Sequence, residues 1–455
     1  MFTGAHTFRT LPAIAENVVG LDGKPGFTFK YYEPGSSEAI ETRHGHADSE
    51  VSALGSFGFL NKDISLEGVF TPQETAQYYF TCSGLGPSKL IIDDKVVYEQ
   101  TENCTDAMGF LFGGVAAPEF KVALEGGRQY KLLLRTSPPA ANDREDLGIL
   151  EGLCGLRVGS MSETEHDRDL LSEAVEVAKN ADYAVIFTGH EPFWETEGQD
   201  QVSFNLPKDG SQDRLISAVA AANPKTVVVN STGVAIAMPW LNEIQGFLQT
   251  WYPGQECGNS IADVLTGAQT PEGHLTCTFP KKIEDCPAYG NFPGEYDNGK
   301  LKVTYKEGVF VGYRHFDRLP ADKVNFPFGF GLSYTTFDFS GLEVKESGDG
   351  YTASLKVSNT GDVVGAIAVQ VYVGAAQTAE ENPVKQLVAF EKVTVKPGET
   401  ASVEVPVRTR DFGFFDEAKQ KWVVKGGDYK FLIGKSARDI VLESTVAVKE
   451  QSFDL

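Results

Sequence analysis

The run Ser211-Gln212-Asp213-Arg214-Leu215-Ile216-Ser217-Ala218-Val219-Ala220-Ala221-Ala222-Asn223-Pro224-Lys225-Thr226-Val227-Val228-Val229-Asn230 decides the fold. A helix from Ser211 to Ala222 ends at Asn223-Pro224, and Thr226 to Asn230 then reads as a buried strand. The same order stands one step upstream. Leu170, Ala174 and Ala178, with Leu171 and Val175 beside them, put an apolar stripe on one helix face, with Glu163 and Glu165 near its positive N-terminal end. That helix feeds a buried-looking strand, Tyr183 to Thr188, and a third helix is expected from Gly258 to Leu265. Helix and continuous apolar strand in alternation predict an α/β layer with a mainly parallel sheet. Ligands of such sheets sit beyond the carboxyl ends of the strands, so the loops after Thr188 and after Asn230 are the places to search.

On either side of this layer the period changes. From Gly26 to Val158 short alternating bursts are separated by turn formers, the pattern of antiparallel sheet. The clearest strands are Leu66 to Phe70, Tyr78 to Phe80, Lys89 to Ile92 and Tyr130 to Leu134, and Asp93-Asp94-Lys95 and Gly126-Gly127 are expected to close hairpins. A β-sandwich is the economical reading. Beyond the layer, Tyr305 to Thr336 is rich in Gly and aromatics and reads as an ordered connector. Period 2 returns after Phe337: Ala353, Leu355 and Val357, then Val369, Val371 and Val373, then Val403, Val405 and Val407 form inward rows. These strands fit an immunoglobulin-like or fibronectin-like sandwich.

Lys plus Arg number 40 and Asp plus Glu 63, so the formal charge is −23, which argues against nucleic acid or an anionic membrane as partner. No apolar run approaches the roughly 18 residues of a membrane-spanning helix. The first residues show no basic leader followed by an apolar core, which points to a cytoplasmic chain unless the start of the protein lies upstream; an extracellular site then stays open. Six cysteines lie far apart with no CxxC pair, which favours reduced thiols over a zinc site or a disulfide scaffold. Asn103-Cys104-Thr105 and Asn230-Ser231-Thr232 fit the glycosylation pattern and weakly oppose the cytoplasmic reading.

The loop after Thr188 reads Gly189-His190-Glu191-Pro192-Phe193-Trp194-Glu195-Thr196-Glu197-Gly198-Gln199-Asp200. Four carboxylates and a His flank two large aromatics at a strand exit. A carboxyl group held against aromatic surface loses hydration, and its pKa rises toward a value suited to proton donation. Glu197, beside a glycine that admits close approach, is the first candidate for a general acid and Glu195 the second. Phe193 and Trp194 are candidate platforms for a sugar ring, and Asp200 is expected to orient the loop. The plain alternative is an acidic surface loop whose Trp covers the sheet.

These residues and those that follow resemble the C-terminal half of a family 3 glycoside hydrolase of the β-glucosidase type. The likeness is carried by Trp194 to Gly198, Asn205-Leu206-Pro207, Ala222 to Val229, Met238-Pro239-Trp240, Trp251 to Glu256, Gly258 to Leu265, Glu307 to Arg314 and Phe326 to Thr335, in that order. It extends to the end of the chain, where Trp422 and Gly427-Asp428-Tyr429 are similar to the family's fibronectin type III-like module. Leu66 to Pro72 and Leu90 to Asp93 resemble the protective-antigen-type carbohydrate module that some members carry as an insertion. The resemblance implies a multidomain chain: residues 1–22, the tail of an upstream α/β segment; 23–158, a protective-antigen-like β-sandwich; 159–300, an α/β sandwich; 301–336, the connector; 337–455, a fibronectin type III-like β-sandwich. It gives Glu197 the acid/base role. Gln199-Asp200-Gln201 stands where many members have an aromatic, Asp and Arg, so Glu195 stays open.

A retaining glycosidase needs a second carboxylate as nucleophile about 5 Å from the first. The family places it in an N-terminal barrel in a Ser-Asp-Trp context, which is absent here. The expectation is therefore a fragment that carries the acid, takes β-glucosides or oligosaccharides, needs a barrel as partner and hydrolyses little by itself. No cofactor and no metal are expected, and association of copies stays open. The competing reading is a non-catalytic carbohydrate-binding or adhesion protein, with Ca²⁺ held at Asp93-Asp94; the plain view of that pair is a hairpin turn. His44-Gly45-His46 reads as a solvated loop rather than a metal site, Gly84-Leu85-Gly86 and Gly329-Phe330-Gly331 as turns, and Trp240, Trp251 and Trp422 as packing residues.

Overall fold

The computed structural model describes residues 3–111, 117–140, 150–197, 200–207, 210–375 and 382–454. The chain forms two compact units, residues 1–232 with 240–249, and residues 233–239 with 250–455.

The first unit opens with two antiparallel sheets of seven and four strands. Alternate residues of both sheets meet in one core: Ile64, Leu66, Leu90 and Leu134 from the larger sheet and Phe80, Leu156 and Val158 from the smaller are all fully buried. The four strands expected from the sequence lie within Asp63–Phe70, Ala76–Gly84, Ser88–Ile92 and Tyr130–Thr136. Asp93 and Asp94 do turn the chain into Lys95–Gln100, both with positive φ, and Asp93 accepts from the Lys131 amide and Arg128.

Gly126-Gly127 closes no hairpin. The strand before it, Phe120–Leu124, pairs in the four-stranded sheet and the strand after it in the seven-stranded one, so the glycines turn a corner between layers. A Cβ on Gly126 would lie 2.8 Å from the Glu74 backbone, a close approach that only glycine permits. His44-Gly45-His46 is not a loop either, since it ends the strand Ala39–His46, with Gly45 at φ +79° beside an irregularity in the pairing.

The α/β part of this unit holds three parallel strands, Ala184–Gly189, Thr226–Ser231 and Gly246–Gln249, in that order across the sheet. Helices Leu170–Lys179 and Ser211–Ala222 precede the first two. Asn223 does more than stop a helix: its side-chain amide donates to the carbonyls of Ala178 and Ala181, tying the end of one helix to the other. Glu163 and Glu165 do not belong to the first of these helices. They sit on a separate turn, Glu163–His166, capped by Ser162, and the longer helix is capped by Asp169, whose carboxylate accepts from the Ser172 amide. The strand expected to be buried on both faces is covered on one only: Ile186 and Thr188 are buried, whereas Val185 is 43% and Phe187 58% exposed. Asn230 is fully buried, with its side chain bonded to Thr188, Thr232 and Gln249, so that glycosylation tripeptide is closed to modification in the folded chain.

The second unit contains the third helix, Cys257–Thr266, ended by Gly267 at φ +79°. The connector is ordered by burial and charge. Arg438 donates to the carbonyls of Phe316, Leu319 and Pro320, and Lys385 pairs with Asp317 at 2.5 Å, both side chains less than a tenth exposed. The C-terminal region is a sandwich of a three-stranded and a four-stranded sheet. Ala353, Val357, Val369 and Val371, from the inward rows that the alternation marks, form its fully buried centre together with Phe431 and Ile433. None of the six cysteines is in a disulfide among the described residues.

Candidate active site

The loop begins where it does for steric reasons. Gly189 has φ +152°, and a Cβ there would lie 2.1 Å from the Ser231 carbonyl oxygen, so the first strand can leave the sheet at this point only through glycine. Gln212, on the first turn of the next helix and 3% exposed, then clamps both ends of the loop. It accepts from the Gly189 amide at 3.0 Å, and its own amide donates to the carbonyls of Gly189 at 3.0 Å and Pro207 at 2.6 Å. The His190 amide donates to the Ser231 carbonyl, which fixes the next residue to the neighbouring strand.

From this base the chain folds back on itself. The amides of Trp194 and Glu195 both donate to the Glu191 carbonyl. His190, with a side chain only 3% exposed, holds Glu195 with Nδ1 2.7 Å from Oε2, and the Gln201 amide stands 3.2 Å from the same nitrogen. Glu195 is thus an internal tie of the loop. Glu197 differs: it is exposed and makes no hydrogen bond or ion pair among the described residues. Asp200 is exposed, and Gly198 and Gln199 lie outside the described residues.

Phe193 and Trp194 are held by arginines. The Arg157 guanidinium lies 4.0 Å over the Phe193 ring and Arg9 lies 5.4 Å over Trp194. Arg9 also donates to the Phe193 carbonyl, and the Trp194 indole N–H donates to the Thr7 carbonyl at 2.6 Å. One face of each ring thereby carries a guanidinium.

The carboxyl group that the loop desolvates is Glu191. Burial pushes it above the usual carboxylate range, against the opposing pull of the Arg157 charge, and its buried Oε1 has no hydrogen-bond partner among the described residues. Burial thus raises a carboxyl in this loop at Glu191, a residue that the sequence did not single out. Gln212, Arg157 and Arg9 were missed as well. Arg157 sits in an alternating strand, Leu156–Ser162, and Arg9 lies far upstream, so no local motif marks either. Gln212 had one faint signal, a polar residue at a helix position that faces the sheet.

Residues 31–313 match the glycosyl hydrolase family 3 C-terminal domain, and residues 368–437 match a fibronectin type III-like domain. The chain belongs to glycosyl hydrolase family 3, of which it represents the C-terminal half. Among curated relatives it is 49% identical to beta-glucosidase B of Emericella nidulans, over 99% of this chain and 54% of that protein. It is 34% identical to the probable beta-glucosidase I of Aspergillus oryzae, over 99% and 55%. The chain spans about half the length of the curated relatives it matches. Among solved structures, the beta-glucosidase of Kluyveromyces marxianus in complex with glucose superposes with a TM-score of 0.86 at 31% identity, covering 99% of this chain and 54% of that one. The beta-glucosidase of Bifidobacterium adolescentis gives 0.58 at 40% identity, covering 63% and 42%.

Proposed function

We propose that this chain is the acid-bearing half of a retaining β-glucosidase, with Glu197 as general acid and base. The observation that carries the reading is the contrast within one loop. Glu195 is consumed by His190 and Glu191 is half buried, whereas Glu197 projects from a loop clamped at both ends with its carboxylate unengaged among the described residues. The relatives' printed names support β-glucosides as the substrate class.

In this reading the Glu197 carboxyl O–H donates its proton to the glycosidic oxygen as a carboxylate from the other half of the enzyme attacks the anomeric carbon. The aglycone leaves with that proton. Glu197, now ionised, takes a proton from water, and the resulting hydroxide equivalent displaces the enzyme carboxylate, so configuration is retained. In this reading the nucleophile comes from the family's N-terminal barrel domain.

We read residues 23–158 as an inserted protective-antigen-like carbohydrate module. The Bifidobacterium adolescentis enzyme covers only 63% of the chain, a share comparable to what lies C-terminal to residue 162. Residues 1–22 would then be the tail of the α/β segment that the module interrupts, and the open face at Val185 and Phe187 is where further parts of that layer would pack.

Joining the uncovered half of the Emericella nidulans beta-glucosidase B to this chain tests the reading. The isolated chain is expected to leave 4-nitrophenyl β-glucoside unhydrolysed, because a lost covalent nucleophile removes many orders of magnitude, and the hybrid is expected to turn it over. Strong turnover by the isolated chain would refute the need for a second half.

A further inference from the structure

Arg157 has an unusual environment for a guanidinium. Its side chain is 11% exposed, and its Nε and Nη1 are buried without a hydrogen-bond partner among the described residues. Its closest carboxylate among the described residues is Glu50, at 3.6 Å and 37% exposed, too long for a hydrogen bond. A buried cation with unused donors costs stability unless something else is gained. What it does have is the Phe193 ring at 4.0 Å and the charge of half-buried Glu191, two residues of the loop that carries Glu197.

Arg157 comes from Leu156–Ser162, a strand of the four-stranded sheet in the front sandwich, not from the α/β layer. The loop is thus gripped from two directions: by Gln212 and Ser231 at its base, and by Arg157 and Arg9 at its tip. Glu197 lies four residues beyond Phe193, between the tip contacts and the contact of Gln201 with His190.

We propose that Arg157 is a positioning residue for proton donation by Glu197, so that the front sandwich sets the geometry of the acid loop. The proposal rests on the reading of Glu197 as the acid. The mechanism is mechanical: the guanidinium plane seats the Phe193 ring, the seated ring fixes the turn closed by the Glu191 carbonyl, and the turn aims the next carboxylates. Loss of the seat leaves the loop attached at its base and held at its tip, among the described residues, by Arg9, Thr7 and the His190–Glu195 pair, a looser hold on the Phe193 turn. A displacement of about 1 Å can cost on the order of a hundredfold in a positioned reaction.

The test uses the hybrid enzyme described above and two aryl glucosides. Protonation matters little for 2,4-dinitrophenolate as leaving group and much for 4-methoxyphenolate. Arg157→Met is expected to lower kcat/KM for the 4-methoxyphenyl glucoside by about tenfold or more, within the range of acid catalysis, while the dinitrophenyl glucoside changes by less than about twofold. Arg157→Lys, which keeps the cation but loses the plane, is expected to fall between wild type and Met. Equal losses on both substrates, or none on either, would overturn the proposal.

Glu197→Gln run in parallel separates the two ideas. If it shows no leaving-group dependence, the acid assignment itself fails; if it does and Arg157→Met does not, only the positioning role fails. Should Arg157→Met not fold, Phe193→Leu, which removes the ring and leaves the arginine, must reproduce the selective loss. Hydrogen exchange on the 455-residue chain adds an independent arm. The Trp194 and Glu195 amides should exchange faster in Arg157→Met, with the His190 amide unchanged, and uniform behaviour across all three would count against the proposal.

Discussion

Within the loop, three glutamates six residues apart end to end have three different physical situations. Glu195 faces His190, Glu191 is withdrawn from water, and Glu197 is left to solvent. Their chemistry follows from that division more than from their order in the chain. Burial raises Glu191, so its charged form is the one the fold disfavours. Below the unfolded value, about 4.3, the group is neutral in both states and costs nothing; as pH rises through the folded value, the stability due to its neutral form is lost. Glu191→Gln is therefore expected to gain stability on the wild type as pH is raised from about 4 to 7, read from urea midpoints across that range. A constant difference between the two proteins would show that the carboxyl is not desolvated. The sequence placed these carboxylates beside aromatics and inferred a raised pKa, but it could not say which one. That depends on Arg157 and Arg9, about thirty and about one hundred and eighty residues away, which no local pattern reports.

At the scale of elements, the helix-then-strand order was legible because its signals are local: the Asn223-Pro224 stop, the Thr226 to Val229 run and the apolar stripe on Leu170–Lys179. The strand Gly246–Gln249 was not legible, since four residues of mixed type carry no usable period. The split between Glu163–His166 and the following helix escaped too, because both turns are acidic and only the caps divide them. Gly126-Gly127 misled for a related reason: a glycine pair allows a tight turn, and which sheet the next strand joins is decided by distant pairing. The least legible element is the clamp. Gln212→Leu would leave the Gly189 amide and the Gly189 and Pro207 carbonyls without their partner, a loss of about 1–3 kcal/mol for each group that stays buried. The variant should lower the unfolding midpoint, and in the hybrid it should also lower activity on the poor-leaving-group substrate. A stable variant with wild-type kinetics would mean that the loop base is held by Ser231 alone.

For the molecule as a whole, the sequence and the structure agree on a chain of sheet-rich parts around one α/β layer, and the family match agrees with both. The net charge of −23, the open apolar face at Val185 and Phe187 and a Glu197 unengaged among the described residues are compatible with the proposed half-enzyme, whose site another domain would complete. Such a site has a chemical signature that binding alone cannot imitate. When the acid and base of a retaining glycosidase is removed, an activated substrate still glycosylates the nucleophile, and a small anion can then enter the space of the lost carboxylate and take the sugar. The most direct measurement is azide rescue of the hybrid carrying Glu197→Ala on 2,4-dinitrophenyl β-glucoside, with product analysis. The account predicts that azide restores turnover and yields β-glucosyl azide, and that Glu195→Ala gives no azide product. Rescue of the Glu195 variant instead, or no rescue of either, would contradict it.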